Sequence, residues 1–182
     1  MGDVAERGER RWGAVCAYAS LAATTPASTG ATGTTGATTP TPKAASVPTS
    51  GPLATEPKIK VPSGAAPKQL VTKDIIAGKG AVAVYGDELT VDYVGALYSN
   101  GKVFDASWSH GGPKGVPFQF ELGVGDVIKG WDQGIVGMRV GGRRELIIPP
   151  SLGYKAAGEP PEIPGNATLV FIVDLLGVSK AG

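Results

Sequence analysis

The amino-acid sequence predicts an α+β fold in which an antiparallel sheet wraps around one short helix. Residues 89–93 and 118–122 alternate apolar and polar side chains, which is typical of half-buried strands. Residues 168–176 are apolar on both faces of an extended chain, which indicates a central strand. Helical spacing occurs in one stretch, and strands and helices do not alternate along the chain. This pattern favours an antiparallel sheet over a parallel one.

The helical stretch covers residues 130–138. Trp131, Ile135 and Met138 recur at spacings of four and three residues, so one short amphipathic helix can turn all three inward. Gly134 and Gly137 each weaken such a helix by about 1 kcal/mol. We therefore expect a short helix that is held by packing rather than by its own propensity.

Turn signals separate the predicted strands. Asn100-Gly101 is typical of a tight hairpin, and residues 103–105 begin the returning strand. Residues 144–148 form a further strand, which ends at Pro149-Pro150. The packed domain is expected to cover residues 68–182, roughly 115 residues, which is a common size for one domain.

The sequence before residue 68 differs in composition. Residues 24–67 are rich in Thr, Ala, Ser, Gly and Pro and contain few large apolar side chains. Such a segment buries too little surface to offset its ordering entropy, so we expect a disordered linker, extended by its prolines. It can act as a spacer that holds the domain away from a surface, or as a plain solvated tail.

Residues 1–23 have some features of a signal or targeting segment. Three arginines precede about a dozen mostly small or apolar residues, and Ala17-Tyr18-Ala19 is typical of a cleavage site. Acidic residues among the arginines and Ser20 within the apolar run argue for the alternative, retention in the cytoplasm. The run is too short to span a bilayer, so no transmembrane span is expected. Val15 before Cys16 disfavours lipidation. The expected location is outside the cytoplasm or at the cell wall.

Composition excludes several classes of site. The 182 residues carry a net charge of +1, with one Cys and one His. This rules out an internal disulfide framework, a Cys/His zinc site and most His-based triads. The low net charge also predicts no strong attraction to nucleic acid or anionic membranes. The basic residues around Arg143 would not form a concentrated patch either, because they would lie on two faces of a strand.

Six short motifs resemble, in order and spacing, those of the FKBP family of peptidyl-prolyl cis-trans isomerases. They extend over most of the region from about residue 70 to 178 and over none of the N-terminal third. The chain is similar to single-domain bacterial members that carry an N-terminal tail. The motifs are Tyr93-Val94-Gly95, Gly101-Lys102-Val103-Phe104-Asp105, Pro117-Phe118-Gln119-Phe120, Val127-Ile128-Lys129-Gly130-Trp131, Gly141-Gly142-Arg143-Arg144 and Ala167-Thr168-Leu169-Val170-Phe171.

The resemblance implies a sheet of five or six strands curved around the helix, with a hydrophobic cleft between them. Trp131 would form its floor, and Asp105 and Tyr154 would be polar groups at its mouth. The N–H of Ile128 and the hydroxyl of Tyr154 would bind carbonyls of the substrate chain. The macrolide immunosuppressants tacrolimus and rapamycin would occupy the same cleft. Its walls and edge would be formed by Tyr93, Phe104, Phe118, Val127, Ile128, Ile163 and Phe171.

These residue types suit prolyl isomerisation on chemical grounds as well. Amide resonance opposes rotation with a barrier of about 18–20 kcal/mol, and X–Pro bonds populate the cis form appreciably. Because no bond breaks, no nucleophile, metal or cofactor is required. An apolar aromatic pocket can grip the proline ring and favour the twisted imide. The expected function is an isomerase that acts on proline-containing polypeptides during folding, and the expected oligomeric state is a monomer.

Two other functions stay open from the residues. The same cleft would serve a proline-recognising binding module or a chaperone that needs no turnover. Aromatics at alternating strand positions are also common in a plain core, which would make the chain a structural β domain.

Some residues depart from the family pattern. Lys155 follows Tyr154 where a Gly is common, and Glu159 and Glu162 lie in a loop where relatives often carry other residues. These changes bear on macrolide affinity and substrate preference. The two acids either favour Lys or Arg near the substrate proline or form an ordinary soluble rim. His110 is expected to be a solvated loop residue.

Overall fold

The computed structural model describes residues 51–111 and 115–180 of the chain. Residues 1–23 and residues 24–50 of the predicted linker therefore lie outside the described residues. Two 3₁₀ turns, Ser107–Ser109 and Pro150–Leu152, connect the main elements. Those elements are β1 (Val71–Ile76), β2 (Asp87–Leu97), β3 (Val103–Ala106), β4 (Phe118–Glu121), α1 (Lys129–Gly134), β5 (Arg143–Ile148) and β6 (Leu169–Lys180).

The six strands form one antiparallel sheet in the order β1-β5-β6-β2-β3, as the α+β prediction requires. β6 lies between β5 and β2, which confirms the prediction of a central strand there. β2 pairs with β6 along its whole length. On its other side the first part of β2 pairs with β4 and the last part with β3.

α1 packs against β5 and is shorter than the helical spacing indicated. It ends at Gly134, and Gly137 adopts a positive φ of 79°, so the predicted continuation to Met138 is wrong. Trp131, Ile135 and Met138 are nevertheless all buried, as predicted. The helix approaches β5 closely because it carries glycine there. A Cβ on Gly130 would collide with Ile148.

β1 was not predicted from the sequence. It lies at the edge of the sheet, and its first five residues are exposed, including Val71 and Ile75. An edge strand that is open to water on both faces has no need to alternate apolar and polar side chains, so the periodic signal is missing.

Part of the predicted linker is attached to the sheet. Leu53 and Pro57 are buried, and Nη2 of Arg143 donates a hydrogen bond of 3.0 Å to the carbonyl of Thr55. Leu146 alternates with Arg143 on β5 and faces α1, so Arg143 and this segment lie on the opposite face of the sheet. The disorder predicted for residues 24–50 stays a prediction.

Candidate functional site

The indole of Trp131 is the centre of an aromatic cluster between α1 and the sheet. Its side chain is fully buried in the first turn of α1. The ring centroids of Tyr93 and Phe171 each lie 5.3 Å from that of Trp131, at interplanar angles of 79° and 85°. Phe120 lies at 5.6 Å and Phe118 at 6.3 Å. The edge-to-face arrangement of Tyr93, Phe118 and Phe171 is one that aromatic rings favour.

The sheet register brings these rings together. Phe171 on β6 lies opposite Gly95 on β2, two residues beyond Tyr93. A Cβ on Gly95 would lie 2.6 Å from the ring of Phe171 and 2.8 Å from that of Phe104. Gly95 therefore leaves the space in which Phe104 meets Phe171, with centroids 5.5 Å apart at 84°.

The apolar residues named for the cleft come together in the structure. Phe104 and Phe118 are only half-buried, so they form the part of the cluster that reaches solvent. The rest of the group is buried, and its members are Tyr93, Val127, Ile128, Trp131, Tyr154, Ile163 and Phe171.

A hydrogen-bonded carboxylate lies at the edge of this cluster. The hydroxyl of Tyr93 donates to Oδ2 of Asp105 at 2.6 Å, and Nε2 of His110 lies 3.0 Å from Oδ1. The side chain of Asp105 is 8% exposed and that of His110 is 21% exposed. The expectation that His110 is a solvated loop residue is therefore wrong, because the 3₁₀ turn after β3 folds it back onto Asp105.

A second polar network lies behind Tyr93, on the opposite face of the sheet. The N–H of Tyr93 donates to Oγ of Ser107 at 3.0 Å, and that hydroxyl donates to Oδ1 of Asp92 at 2.8 Å. Asp92 lies opposite Asp174, which accepts two hydrogen bonds of 2.6 Å from Arg143.

Burial dominates the electrostatics of this network. It raises the pKa of Asp92 to about 6, opposed by the hydrogen bond from Ser107 and reinforced by the charge of Asp174. It also raises the pKa of Asp174, although the hydrogen bonds and charge of Arg143 act in the other direction. Asp92 was not predicted to belong to the site. The one indication in the sequence was an acidic residue within a predicted strand, whose partner strand, residues 168–176, is apolar on both faces and therefore predicted to be buried.

The buried indole Nε1–H of Trp131, at the floor of the cluster, has no hydrogen-bond acceptor among the described residues. The backbone N–H of Ile128 lies just before α1, where the first N–H groups of a helix lack intrahelical partners. The hydroxyl oxygen of Tyr154 is buried beside the same cluster.

A short loop closes one side of the cluster. Glu159 and Ile163 exchange two backbone hydrogen bonds of 2.8 and 2.9 Å, and the side chain of Ile163 is fully buried in the cluster. Glu159 and Glu162 on this loop are half-buried. The loop thus holds both acids close to the aromatic group without burying them.

Phe120 belongs to the cluster but was not predicted to be a site residue. It is buried, contacts Trp131 and stacks on Phe118 at 5.7 Å. The signal was present, because residues two apart on a strand share a face.

The described residues contain no group of three His, Cys, Asp or Glu side chains placed to hold a metal ion. None of their helices has the length and apolar character needed to cross a membrane.

Comparison with known proteins gives consistent matches. A protein-family model described as FKBP-type peptidyl-prolyl cis-trans isomerase matches residues 80–176, just over half of the chain. A protein of Streptomyces anulatus named FK506-binding protein is 50% identical over 125 residues, which cover 68% of this chain and 97% of that protein. Peptidyl-prolyl cis-trans isomerase FPR2 of Saccharomyces cerevisiae is 52% identical over 99 residues, covering 54% of this chain and 70% of that protein.

A solved structure gives the same result. The crystal structure of AtFKBP13 superposes with a TM-score of 0.56 at 40% sequence identity. The match covers 63% of this chain and 96% of that one. The antiparallel sheet with one short helix is thus a fold that this chain shares with a solved relative.

Proposed function

Because this chain belongs to the FKBP-type peptidyl-prolyl cis-trans isomerase family, and is such an isomerase, we propose where its reaction takes place. It catalyses rotation about X–Pro peptide bonds in the aromatic cleft around Trp131. The observation that carries this assignment is the ring of aromatic side chains with a hydrogen-bonded carboxylate at its edge. Phe104 and Phe118 form the half-buried entrance, and Trp131 forms the floor.

The cleft can lower the rotation barrier without covalent chemistry. A planar imide is held by resonance with a barrier of about 18–20 kcal/mol, so a site must bind the twisted imide more tightly than either planar form. Aromatic walls remove water from the proline ring and from the imide, whose polarity falls as it twists. A millionfold rate gain would take roughly 8 kcal/mol of such differential binding.

Polar groups at the floor and mouth would fix the substrate backbone. The backbone N–H of Ile128, just before α1, would bind one substrate carbonyl, and the hydroxyl of Tyr154 would bind a second one. Both contacts follow the pattern that the family resemblance implies. They would hold the chain on either side of the rotating bond, so that the twist is confined to one imide.

The test is cis–trans exchange of an X–Pro tetrapeptide measured by NMR with the full chain. Phe104→Ala should lower the catalysed exchange rate by about tenfold or more, because Phe104 packs on Phe171 at the entrance. Tyr98→Ala is the matched control, since Tyr98 is another half-buried aromatic on the same hairpin but lines a recess with Asn100 and Asn166.

Equal loss in the two variants would contradict the proposed cleft. If the wild-type chain binds the peptide but leaves exchange unchanged, the cleft is instead a proline-recognition module or a chaperone surface.

We also propose that macrolides such as tacrolimus and rapamycin compete with prolyl peptides for this cleft. The support is the name FK506-binding protein carried by the Streptomyces anulatus relative. Lys155, Glu159 and Glu162 lie on the adjoining loop and add charge to the rim, which should disfavour an apolar ligand. Inhibition of peptide exchange by tacrolimus, compared between wild type and Glu159→Gln/Glu162→Gln, measures both effects. Lack of inhibition would contradict macrolide binding at the cleft.

We also propose that the protein is exported and is a monomer; the support is the signal-like composition of residues 1–23 and the single isomerase domain predicted for residues 68–182. Intact mass of the protein recovered from cells and from the medium tests the first, since cleavage near Ala19 would shorten the chain. Light scattering tests the second. A full-length mass in the cytoplasm, or a dimer mass, would contradict them.

A further inference from the structure

We propose that His110 acts on the cleft through Asp105, and that gain or loss of its proton changes which charged prolyl peptides the isomerase favours. The inference rests on the proposed cleft and deepens it, because it assigns a positioning and specificity role to a residue outside the aromatic cluster.

The geometry joins His110 to the cluster in two steps. Its Nε2 lies 3.0 Å from Oδ1 of Asp105, while Oδ2 of the same carboxylate accepts the Tyr93 hydroxyl at 2.6 Å. The ring of Tyr93 in turn lies 5.3 Å from that of Trp131. Both oxygens of the carboxylate are thus engaged, one by the cleft and one by the imidazole.

The main chain holds the imidazole in this position. His110 follows the 3₁₀ turn Ser107–Ser109, and its N–H donates to the carbonyl of Ser107 at 3.1 Å. The N–H of Val116 donates to the same carbonyl at 3.2 Å, which draws the two ends of the loop together. These two hydrogen bonds fix the backbone of His110 close to Asp105, so the imidazole does not have to reach Asp105 from a freely moving segment.

The charges around the imidazole come from two strands. Asp105 on β3 faces it directly, and the phenol of Tyr93 on β2 lies behind that carboxylate. Glu159 and Glu162 are on the loop that Ile163 anchors in the cluster, and Asp92 lies on the far side of the sheet. The side chain of Asp105 is 8% exposed, so water screens its charge less than it would on an open surface.

Histidine is the side chain that ordinarily changes charge between pH 5 and 8, whereas a carboxylate beside a cation stays ionised. With a protonated imidazole the pair of His110 and Asp105 has no net charge. With a neutral imidazole the pair carries one negative charge at the cleft edge. A Lys before the substrate proline is then favoured at higher pH, and a Glu in that place is disfavoured.

The experiment measures kcat/KM for Lys–Pro, Leu–Pro and Glu–Pro peptides between pH 5.5 and 8 with the full chain. The two charged peptide side chains keep their charge over this range. The ratio of Lys–Pro to Glu–Pro should rise about two- to fivefold in the wild type, as expected for a partly screened pair. His110→Arg, always charged, should hold the ratio at the wild-type value of low pH. His110→Gln, always neutral, should hold it at the wild-type value of high pH.

A purely structural histidine would change the rates of all three peptides together and leave the ratio constant, so a flat wild-type ratio overturns the proposal. An equal rise in both variants also overturns it, because another group must then titrate. Asp92, whose pKa is raised to about 6 by burial, is retained in both variants and would be identified by Asp92→Asn. Absence of any catalysis in the wild type would contradict the proposed function itself. A working isomerase with a flat ratio contradicts the role of His110 alone.

Discussion

Asp92 carries a carboxyl group that the fold has removed from water. Burial raises its pKa to about 6, above the value near 3.9 of an unfolded chain. Between these two pH values the folded state binds more protons than the unfolded state, so this group lowers the free energy of unfolding as pH rises. The cost is complete above pH 6 and absent below pH 4.

We therefore predict that Asp92→Asn gains stability relative to wild type as pH rises from 4 to 7. The amide keeps an oxygen for the Ser107 hydroxyl but never ionises, so the difference should reach about 1–3 kcal/mol at pH 7. Urea unfolding at pH 4, 5, 6 and 7 measures it.

Asp87→Asn is the control of opposite sign. The hydrogen bond from Lys180 lowers the pKa of Asp87, against the effect of its burial and with a further bond from the N–H of Val84. Its ionised form therefore stabilises the fold above the unfolded pKa, and this variant should lose stability at pH 7. A constant difference for Asp92→Asn across the range would show that Asp92 is not the titrating group.

Tyr93→Phe separates the hydrogen bond of the cleft from its packing. The variant keeps the ring against Trp131 but loses the bond of 2.6 Å to Asp105. We expect kcat/KM to fall about three- to tenfold, the equivalent of one hydrogen bond, with a change in unfolding free energy of about 1 kcal/mol. Peptide exchange and urea unfolding on the same samples check it. Unchanged exchange would mean that Asp105 does not need the Tyr93 hydroxyl.

Residue contacts of this kind were only partly predictable. The family resemblance supplied the ten cleft residues, and the alternation of strands placed Tyr93 and Phe118 on apolar faces. The sequence did not connect His110 with Asp105, because that contact depends on the path of the 3₁₀ turn after β3.

At the scale of elements, α1 is held by its fit to β5. Six residues are too few for a stable isolated helix, so packing must supply its stability. Gly130 and Gly134 allow the close approach, since a Cβ on Gly134 would lie 2.8 Å from Cδ2 of Leu146 and one on Gly130 would collide with the β-branched Ile148.

Gly130→Ala should therefore destabilise the protein, although alanine favours a helix by about 1 kcal/mol. Forcing a methyl group into a close-packed contact typically costs 1–3 kcal/mol, so a net loss of about 1–2 kcal/mol is expected. Urea unfolding measures it, with Gln133→Ala as the control at an exposed helix position. A gain in stability for Gly130→Ala would mean that β5 shifts readily.

Secondary-structure elements were predicted where a local pattern of apolar side chains marks them. β2, β4, β5 and β6 were recognised because one or both of their faces are buried in apolar surroundings. β1 was missed because it is an exposed edge. The helix end was misplaced because Met138 is buried by the turn after Gly137 rather than by a continuing helix.

At the scale of the whole molecule, the segment before residue 68 completes the face of the sheet opposite α1. Leu53 is 5% exposed, and the carbonyl of Thr55 accepts a hydrogen bond from Arg143, whose other bonds go to Asp174. A chain that starts at residue 68 would uncover this face and the buried ion pair.

Leu53→Ala in the full chain should lower the free energy of unfolding by about 2–3 kcal/mol, the usual cost of truncating a buried leucine. Lys58→Ala, at an exposed position of the same segment, should change it by less than about 0.5 kcal/mol. Chemical unfolding of both variants beside a chain of residues 68–182 gives the measurement. Equal stability of the two point variants would support the solvated tail that composition predicts.

The fold class, most of the strands, the approximate position of the helix and the family could all be inferred from the amino-acid sequence. Strands repeat their apolar side chains every two residues and helices every three to four, so both can be recognised locally. The family follows from motifs whose residues are neighbours along the chain. Three contacts could be known only from the three-dimensional structure: Thr55 binds Arg143 across 88 positions, Asp92 lies opposite Asp174, and His110 contacts Asp105. The burial and the charge of a side chain depend on which distant segments of the chain exclude water from it. Local sequence patterns do not show which distant segments these are, so such contacts cannot be inferred from them.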